Sequence, residues 1–421
     1  MSIGIKRGLI SLVLLLLALS IGSGVLAAEK ITLVMWGKYD EVMAKIVPLF
    51  EQKFPHVDLK MEYVSSEVSK FLTAYTAGLA PDLVFIATRD AAQYIEAGMV
   101  VPVDFAALSA GNKRAFFDRY LPGLEGAISY KGQLYNLPAE ITSGGMLYNQ
   151  DILNQAGIRQ IPTTWQELTT IGAKISNYDA SGKPTRVGIA INTPAQWVVR
   201  YWITMIRQAG SDWITPDGKA NFSSPGSRAA ITAYREMFAS GAAYRGQNQG
   251  AFLQHRAAFL PTGSYRVFGI PEDLMLGATS YPQFQGGVPY NFCYGWGIYV
   301  TSQCKYPELA WQVAEFFTSL QVAPFYMAQG LVIPFKGSWI LEEMRKQPAL
   351  TPFLYGLEHA SLDISHPKNL EIENAVKKAE TDILTNVKPV ATALLELDET
   401  LNAVLNDKRP PAGLPVPGRT N

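Results

Sequence analysis

The stretch Leu137 to Gly157, LPAEITSGGMLYNQDILNQAG, decides how the rest of the chain is read. Pro138 forces Leu137 to be extended, and paired glycines open backbone angles that other residues resist. Leu137-Pro138-Ala139-Glu140 therefore reads as an extended entry and Thr142-Ser143-Gly144-Gly145 as a bend. Met146-Leu147-Tyr148-Asn149 then runs into a helical pattern. This is how a crossing between two lobes is written, and Glu140 sits where a carboxylate faces a cleft from the hinge side.

Beyond it, a short helix ends at Ala156-Gly157 and Pro162-Thr163-Thr164-Trp165-Gln166-Glu167-Leu168 opens the next helix, with Thr164 as cap and Glu167 three residues on. This succession resembles the extracellular solute-binding proteins of sugar-importing ABC transporters, family 1, maltose-binding-protein-like. The resemblance implies an α/β chain with the two-lobed periplasmic-binding-protein fold (type II), each lobe a sheet flanked by helices, joined by hinge crossings. It covers essentially the whole chain after the leader. The expected division is a signal peptide at 1–28, lobe 1 at 29–138 and 288–329, lobe 2 at 142–282 and 335–407, and a disordered tail at 408–421.

Working back toward the N-terminus, Ile31 to Trp36 is a nearly continuous apolar run, as in strands buried on both faces. A helix carrying Val42, Ile46, Leu49 and Phe50 on one face follows, then the alternating Val57 to Tyr63, another helix, and the buried strand of Leu83 to Ile86. Strand and helix in alternation predict a parallel, doubly wound sheet, with ligands at the carboxyl ends of the strands. The loops there hold Trp36, Tyr39, Arg89 and Asp90. Trp36 stacks on a ligand ring or caps the core; Arg89 and Asp90 hydrogen-bond ligand hydroxyls or pair with each other. The family's matching loop ends in an acid and an arginine that bind sugar, in the reverse order.

Toward the C-terminus, the strand Val187 to Ile191 ends in Asn192 to Trp197, which makes Trp197 and Tyr201 aromatic candidates unless Val198, Tyr201 and Trp202 form one core face of the helix. Pro261-Thr262-Gly263-Ser264-Tyr265 leaves an apolar strand. The family places a glycine, a small residue and an aromatic there, so the resemblance implicates Gly263 and Tyr265. Gly295-Trp296-Gly297, followed by Pro307 to Phe317, matches the family's strand and Phe-Phe helix and brings Trp296 to the cleft. A third crossing fits Gln329 to Pro334, and two helices close the chain.

Composition narrows function further. The 421 residues exceed one ordinary core, and 36 basic against 36 acidic residues leave no field for nucleic acid. Lys6 and Arg7 before an apolar run to Ile21 and small residues to Ala28 read as a secretory signal peptide cleaved after Ala27 or Ala28, with no Cys to carry a lipid. Export permits a disulfide, but an extended segment between Cys293 and Cys304 carries them apart unless it folds back. The serine-hydrolase elbow, the zinc-protease helix and the phosphate-binding loop are absent, and the four histidines are scattered. The expectation is a monomeric periplasmic or extracellular binding protein without catalytic residues, metal or cofactor. It delivers a sugar, a disaccharide or oligosaccharide, to membrane permease subunits. A binder of glycerol phosphate, polyamine or iron, or a secreted glycoside hydrolase using Glu140 and Asp90, is the alternative.

Overall fold

The structure is a computed structural model that describes residues 29–407 and 409, apart from 64–66, 122–123, 334, 338–341, 343–345 and 363. The expected leader at 1–28, Pro334 and, save Arg409, the expected tail lie outside the described residues.

The run Ile31–Gly37 forms β1, which pairs in parallel with β2 (Val57–Tyr63) and β3 (Leu83–Ala87). Helices α1 (Asp40–Lys53) and α2 (Glu67–Thr76) make the crossovers. Helix α1 faces the sheet with Val42, Met43, Ile46 and Phe50, the stripe that its 3.6-residue spacing dictates. The parallel run of these three strands ends there, because the next neighbour, β9 (Asn291–Val300), runs antiparallel to β3.

Next to β9 lies β4 (Leu137–Asn149), and here the sequence expectation is corrected. Thr142 to Gly145 is not a bend but the middle of a continuous 13-residue strand. The glycines are needed for space rather than for turning. A Cβ on Gly144 would meet Phe292 at 2.7 Å and Tyr281 at 2.8 Å, and one on Gly145 would meet Phe353 at 2.6 Å. The first half of β4 pairs with β9; the second half pairs with β7 (Ala257–Gly263) and β8 (Leu276–Ser280). One strand thus belongs to both halves of the molecule. Beyond β7 come β6 (Pro184–Ile189) and the edge strand β5 (Asn177–Tyr178), while β10 (Ala360–Leu362) adds to β9; the order is β2-β1-β3-β9-β4-β7-β6-β5.

Two main apolar cores lie on either side of this crossing. The first gathers Leu33, Phe50, Ile141, Cys293, Ile298 and Phe317; the second gathers Met146, Trp165, Phe292, Trp202, Tyr234 and Leu394. Each such side chain contributes roughly 1.5–3 kcal/mol by leaving water, so each half has its own source of stability. The second core is walled by α3 (Trp165–Ile175), α4 (Ala195–Gln208), α5 (Pro225–Ala239), and, from the C-terminal chain, α8 (Asn369–Leu384) and α9 (Val390–Asn406). On the first side lie α6 (Pro307–Phe317) and α7 (Ala323–Met327). Helix α3 opens with the capping box that Thr164 and Glu167 announce.

The described residues from Leu331 to Phe335 pack with the first core. Val332 accepts from the Ile141 amide at 2.7 Å, Phe335 stacks on Tyr120 at 4.7 Å, and Leu350 still belongs to the first core, whereas Phe353 packs under Gly145 in the second half. Aromatic stacking holds this segment to the first lobe. Cys293 lies buried within β9, and Cys304, a free thiol, lies beyond its end.

Candidate functional site

The site grows from the crossing strand. A register irregularity between Pro138 and Glu140 re-aims the chain, and Glu140 lies opposite Trp296 of β9. Its side chain is 4% exposed. The loop after β1 reaches it: Tyr39 adopts a left-handed backbone (φ 61°), costly for a residue with a Cβ, and its hydroxyl donates to Glu140 Oε1 at 3.3 Å. Beside it, Lys38 Nζ sits 3.5 Å from the centre of the Trp296 ring.

Burial pushes the Glu140 carboxyl up to about 7; the Tyr39 hydrogen bond and the charges of Lys38 and Arg200 oppose that rise. The Tyr39 hydroxyl is raised well above its ordinary range, first by burial and then by the carboxylate it faces. A buried acid ringed by two cations and phenolic hydroxyls presents both donors and acceptors, which is what a polyhydroxylated ligand requires.

Across from this group, α4 supplies Trp197 and Arg200. Trp197 packs edge-on against Phe292 and Tyr294, and its ring centre is 6.5 Å from that of Tyr265. The Arg200 guanidinium lies 3.8 Å from the Tyr294 ring and 4.9 Å from the Trp197 ring, and is itself buried. Tyr265 stands on the short turn after β7, and that turn is tied to the crossing: the Ser264 amide donates to Thr142 Oγ1 at 2.7 Å. Gly263 lets the two strands close, since a Cβ there would lie 3.0 Å from Thr142 Oγ1 and 3.1 Å from the Tyr294 hydroxyl.

Arg89 and Asp90 form an ion pair at 3.3 Å in the turn after β3. Both are felt by Glu373 of α8, whose carboxyl is raised by burial, lowered by Arg89 and Arg200 and raised again by Asp90. This turn therefore faces the second half of the molecule. The remaining two candidates are placed among apolar side chains. Trp36, 5% exposed, meets Phe71 edge-on at 6.4 Å with Lys70 Nζ 4.5 Å from its ring. Tyr201 is wholly buried, donating to the Pro261 carbonyl at 2.9 Å.

The structure thus gathers Tyr39, Glu140 and Trp296 with Trp197, Gly263 and Tyr265, sets Arg89 and Asp90 nearby, and leaves Trp36 and Tyr201 in packing positions. Sequence reasoning did not single out Lys38, Arg200, Tyr294 or Glu373, which the structure places around these residues. The alternation of β9 carries Tyr294 to the same strand face as Trp296, and helical spacing brings Arg200 to the Trp197 side. A surface groove of about 680 Å³, lined by residues including Lys53, Phe116, Arg119 and Glu315, shares no residue with this site. Among the described residues no group of three or more His, Cys, Asp or Glu is placed to hold a metal, and no helix is long and apolar enough to cross a membrane.

Comparison with known proteins places this geometry. A binding protein of Brucella abortus (strain 2308) is 26% identical over 294 residues, 66% of this chain and 68% of its own. The maltotriose-binding protein of Pyrococcus abyssi is 24% identical over 355 residues, 79% of this chain and 72% of its own. Among solved structures, the sugar-binding protein MalE of Xanthomonas citri superposes with a TM-score of 0.76 at 21% identity, covering 89% of this chain and 97% of that one. The cyclic α-maltosyl-1,6-maltose binding protein of Arthrobacter globiformis gives 0.77 at 19% identity, with 89% and 99% covered. At that identity the shared property is the two-lobed fold. Residues 37–324 match the bacterial extracellular solute-binding proteins, and the chain belongs to that family.

Proposed function

We propose that the protein captures a sugar, a disaccharide or oligosaccharide, between its two lobes and hands it to the membrane permease subunits of an ABC importer. The observation that carries this reading is the cluster of Trp197, Tyr265 and Tyr294 beside the strand crossing, where Trp296 lies opposite the buried acid Glu140. Flat aromatic faces match the apolar faces of pyranose rings, and the acid, tyrosine hydroxyls and guanidinium match their hydroxyls. Because the groups come from both lobes, a ligand touching all of them favours the closed state, which the permease reads. No bond needs to be broken, so no catalytic residue is assigned. The names borne by the Pyrococcus and Arthrobacter proteins point to α-glucans as the first sugars to try. The reading also holds that the leader is cleaved, that the mature protein works as a monomer in the periplasm or outside the cell, and that the lobes hinge about β4, β9 and the segment after Val332.

The test is a thermal-shift screen of the protein from Glu29 onward against mono-, di- and oligosaccharides, with spermidine, glycerol phosphate and ferric iron in parallel. A native-state ligand at a hundredfold excess over its Kd adds about 2.7 kcal/mol of stability. A shift with one sugar class and no product supports the reading. A shift only with a non-sugar solute, or turnover of a glycoside, overturns it.

A further inference from the structure

One side chain near the acid has a hydroxyl without use inside the fold. Tyr326 belongs to α7, and its ring is 0% exposed. It meets Tyr39 edge-on, ring centres 6.2 Å apart. Its backbone carbonyl is fully engaged, accepting from the Gln329 and Leu331 amides at 2.9 Å and 3.0 Å, which anchors the residue at the end of α7. Its hydroxyl, by contrast, has no hydrogen-bond partner among the described residues.

Leaving a buried hydroxyl unpaired is unfavourable, and folds rarely keep one without a use. The ionisable group that the hydroxyl senses is Glu140, and Tyr39 in turn senses both. The ring contact with Tyr39, whose own hydroxyl donates to Glu140, puts Tyr326 in the layer of side chains behind the acid. The groups facing Glu140 are then Tyr39 and Lys38 from the loop after β1, Arg200 from α4, and Tyr326 from α7.

We propose that Tyr326 is a ligand-binding residue of the interlobe site, its hydroxyl held for a sugar hydroxyl that also engages Glu140. This rests on the sugar-binding reading above. A sugar hydroxyl donates and accepts at once, so one ring substituent satisfies the acid and the unpaired phenol together. A ligand lacking a hydroxyl at that ring position leaves Tyr326 unpaired and is discriminated against, which makes the residue a determinant of specificity as well as affinity.

Tyr326→Phe tests this with two independent readings on the mature protein. Without ligand, the variant loses only an unpaired buried hydroxyl, so Tm stays level or rises by roughly 2 °C. Tyr39→Phe, which removes a donor that Glu140 uses, lowers Tm instead. With maltotriose, or whichever sugar the screen identifies, calorimetry of Tyr326→Phe shows Kd weakened roughly three- to tenfold. A clear fall in the ligand-free Tm means the hydroxyl has a partner inside the fold and overturns the proposal. An unchanged Kd for a sugar that the unaltered protein binds overturns it too, while leaving sugar binding intact. If no sugar binds the unaltered protein, both the functional reading and this assignment fall.

Discussion

The Tyr39 hydroxyl donates to Glu140 Oε1 at 3.3 Å across 101 positions of sequence, tying the loop after the first strand to the strand that crosses between lobes. The bond joins a residue with strained backbone to a carboxyl that has lost its solvent. Neither arrangement is favourable alone, and strained backbone and perturbed acids of this kind cluster at functional sites.

The first prediction follows from that carboxyl. Its ordinary value is 4.5 and the folded value is about 7. Below pH 4.5 the group is protonated in both states and no penalty arises. Between 4.5 and 7 the unfolded chain releases its proton first, so folding is progressively disfavoured. Above 7 the loss is constant, about 3 kcal/mol at 1.36 kcal/mol per unit. Glu140→Gln keeps an acceptor for Tyr39 and removes the titration. Its stability should decline less between pH 5 and 8 than that of the unaltered protein, and its Tm at pH 8 should be higher. Thermal unfolding followed by circular dichroism across that range decides; parallel curves for the two proteins contradict the assignment.

A second prediction concerns the crossing strand. In Gly144→Ala the new methyl runs into Asn291, Phe292 and Tyr281. None of these can retreat cheaply, because Asn291 Nδ2 donates to the Gly144 carbonyl at 2.8 Å and Phe292 packs on Trp197. Overpacking of this kind costs about 1–3 kcal/mol. Gly126→Ala, at a helical position with nothing within 4 Å of the new Cβ, should be neutral or stabilising. Urea denaturation of both variants measures the contrast, and equal midpoints for the two would show that Gly144 does not hold that space.

These cases mark what local pattern reveals. The capping box at Thr164 and Glu167 was legible because its chemistry closes within four residues, and the amphipathic face of α1 because its period is intrinsic to the helix. The glycine pair in β4 was misread because its cause is remote: the atoms that forbid a side chain at Gly144 include Asn291, 147 positions away. Glu140, Tyr265 and Trp296 stand out in the sequence because strand ends and crossings can be located there. Tyr326 and Arg200 sit inside apolar helical runs and look like core residues until the opposing lobe is in place. The same reason puts Trp36 and Tyr201 where packing, not exposure, surrounds them.

A third prediction isolates stability from binding. Asp398 of α9 accepts from the Phe222 amide at 2.6 Å and the Ser223 amide at 2.9 Å, joining the C-terminal helix to the chain before α5. Asp398→Ala leaves two amides unpaired in a nearly buried place, at about 2–4 kcal/mol. Asp398→Asn keeps one acceptor and should cost about half as much. Neither should change ligand Kd once measured well below Tm, because Asp398 lies outside the interlobe group; a weakened Kd at that temperature would show that the second lobe's outer helices reach the site.

The last prediction is the most informative, because Arg200 acts in two ways at once. Its guanidinium lies over Tyr294 and Trp197 and, as a charge, helps hold the Glu140 carboxyl down. Arg200→Met keeps the length and apolar stem but removes the cation. Each attraction between cation and ring is worth about 0.5–2 kcal/mol, so stability should fall by about 2 kcal/mol at pH 5. Removing a cation that lowers the acid's pKa moves the Glu140 titration above 7, so the window in which stability declines extends to higher pH than in the unaltered protein. Arg200→Lys restores the charge without the planar face and should return the titration toward its original position while recovering only part of the stability. Thermal unfolding against pH for the three proteins separates the two roles. A methionine variant that loses stability but titrates as before would confine Arg200 to packing, and the charge balance around Glu140 would then rest on Lys38 and Tyr39.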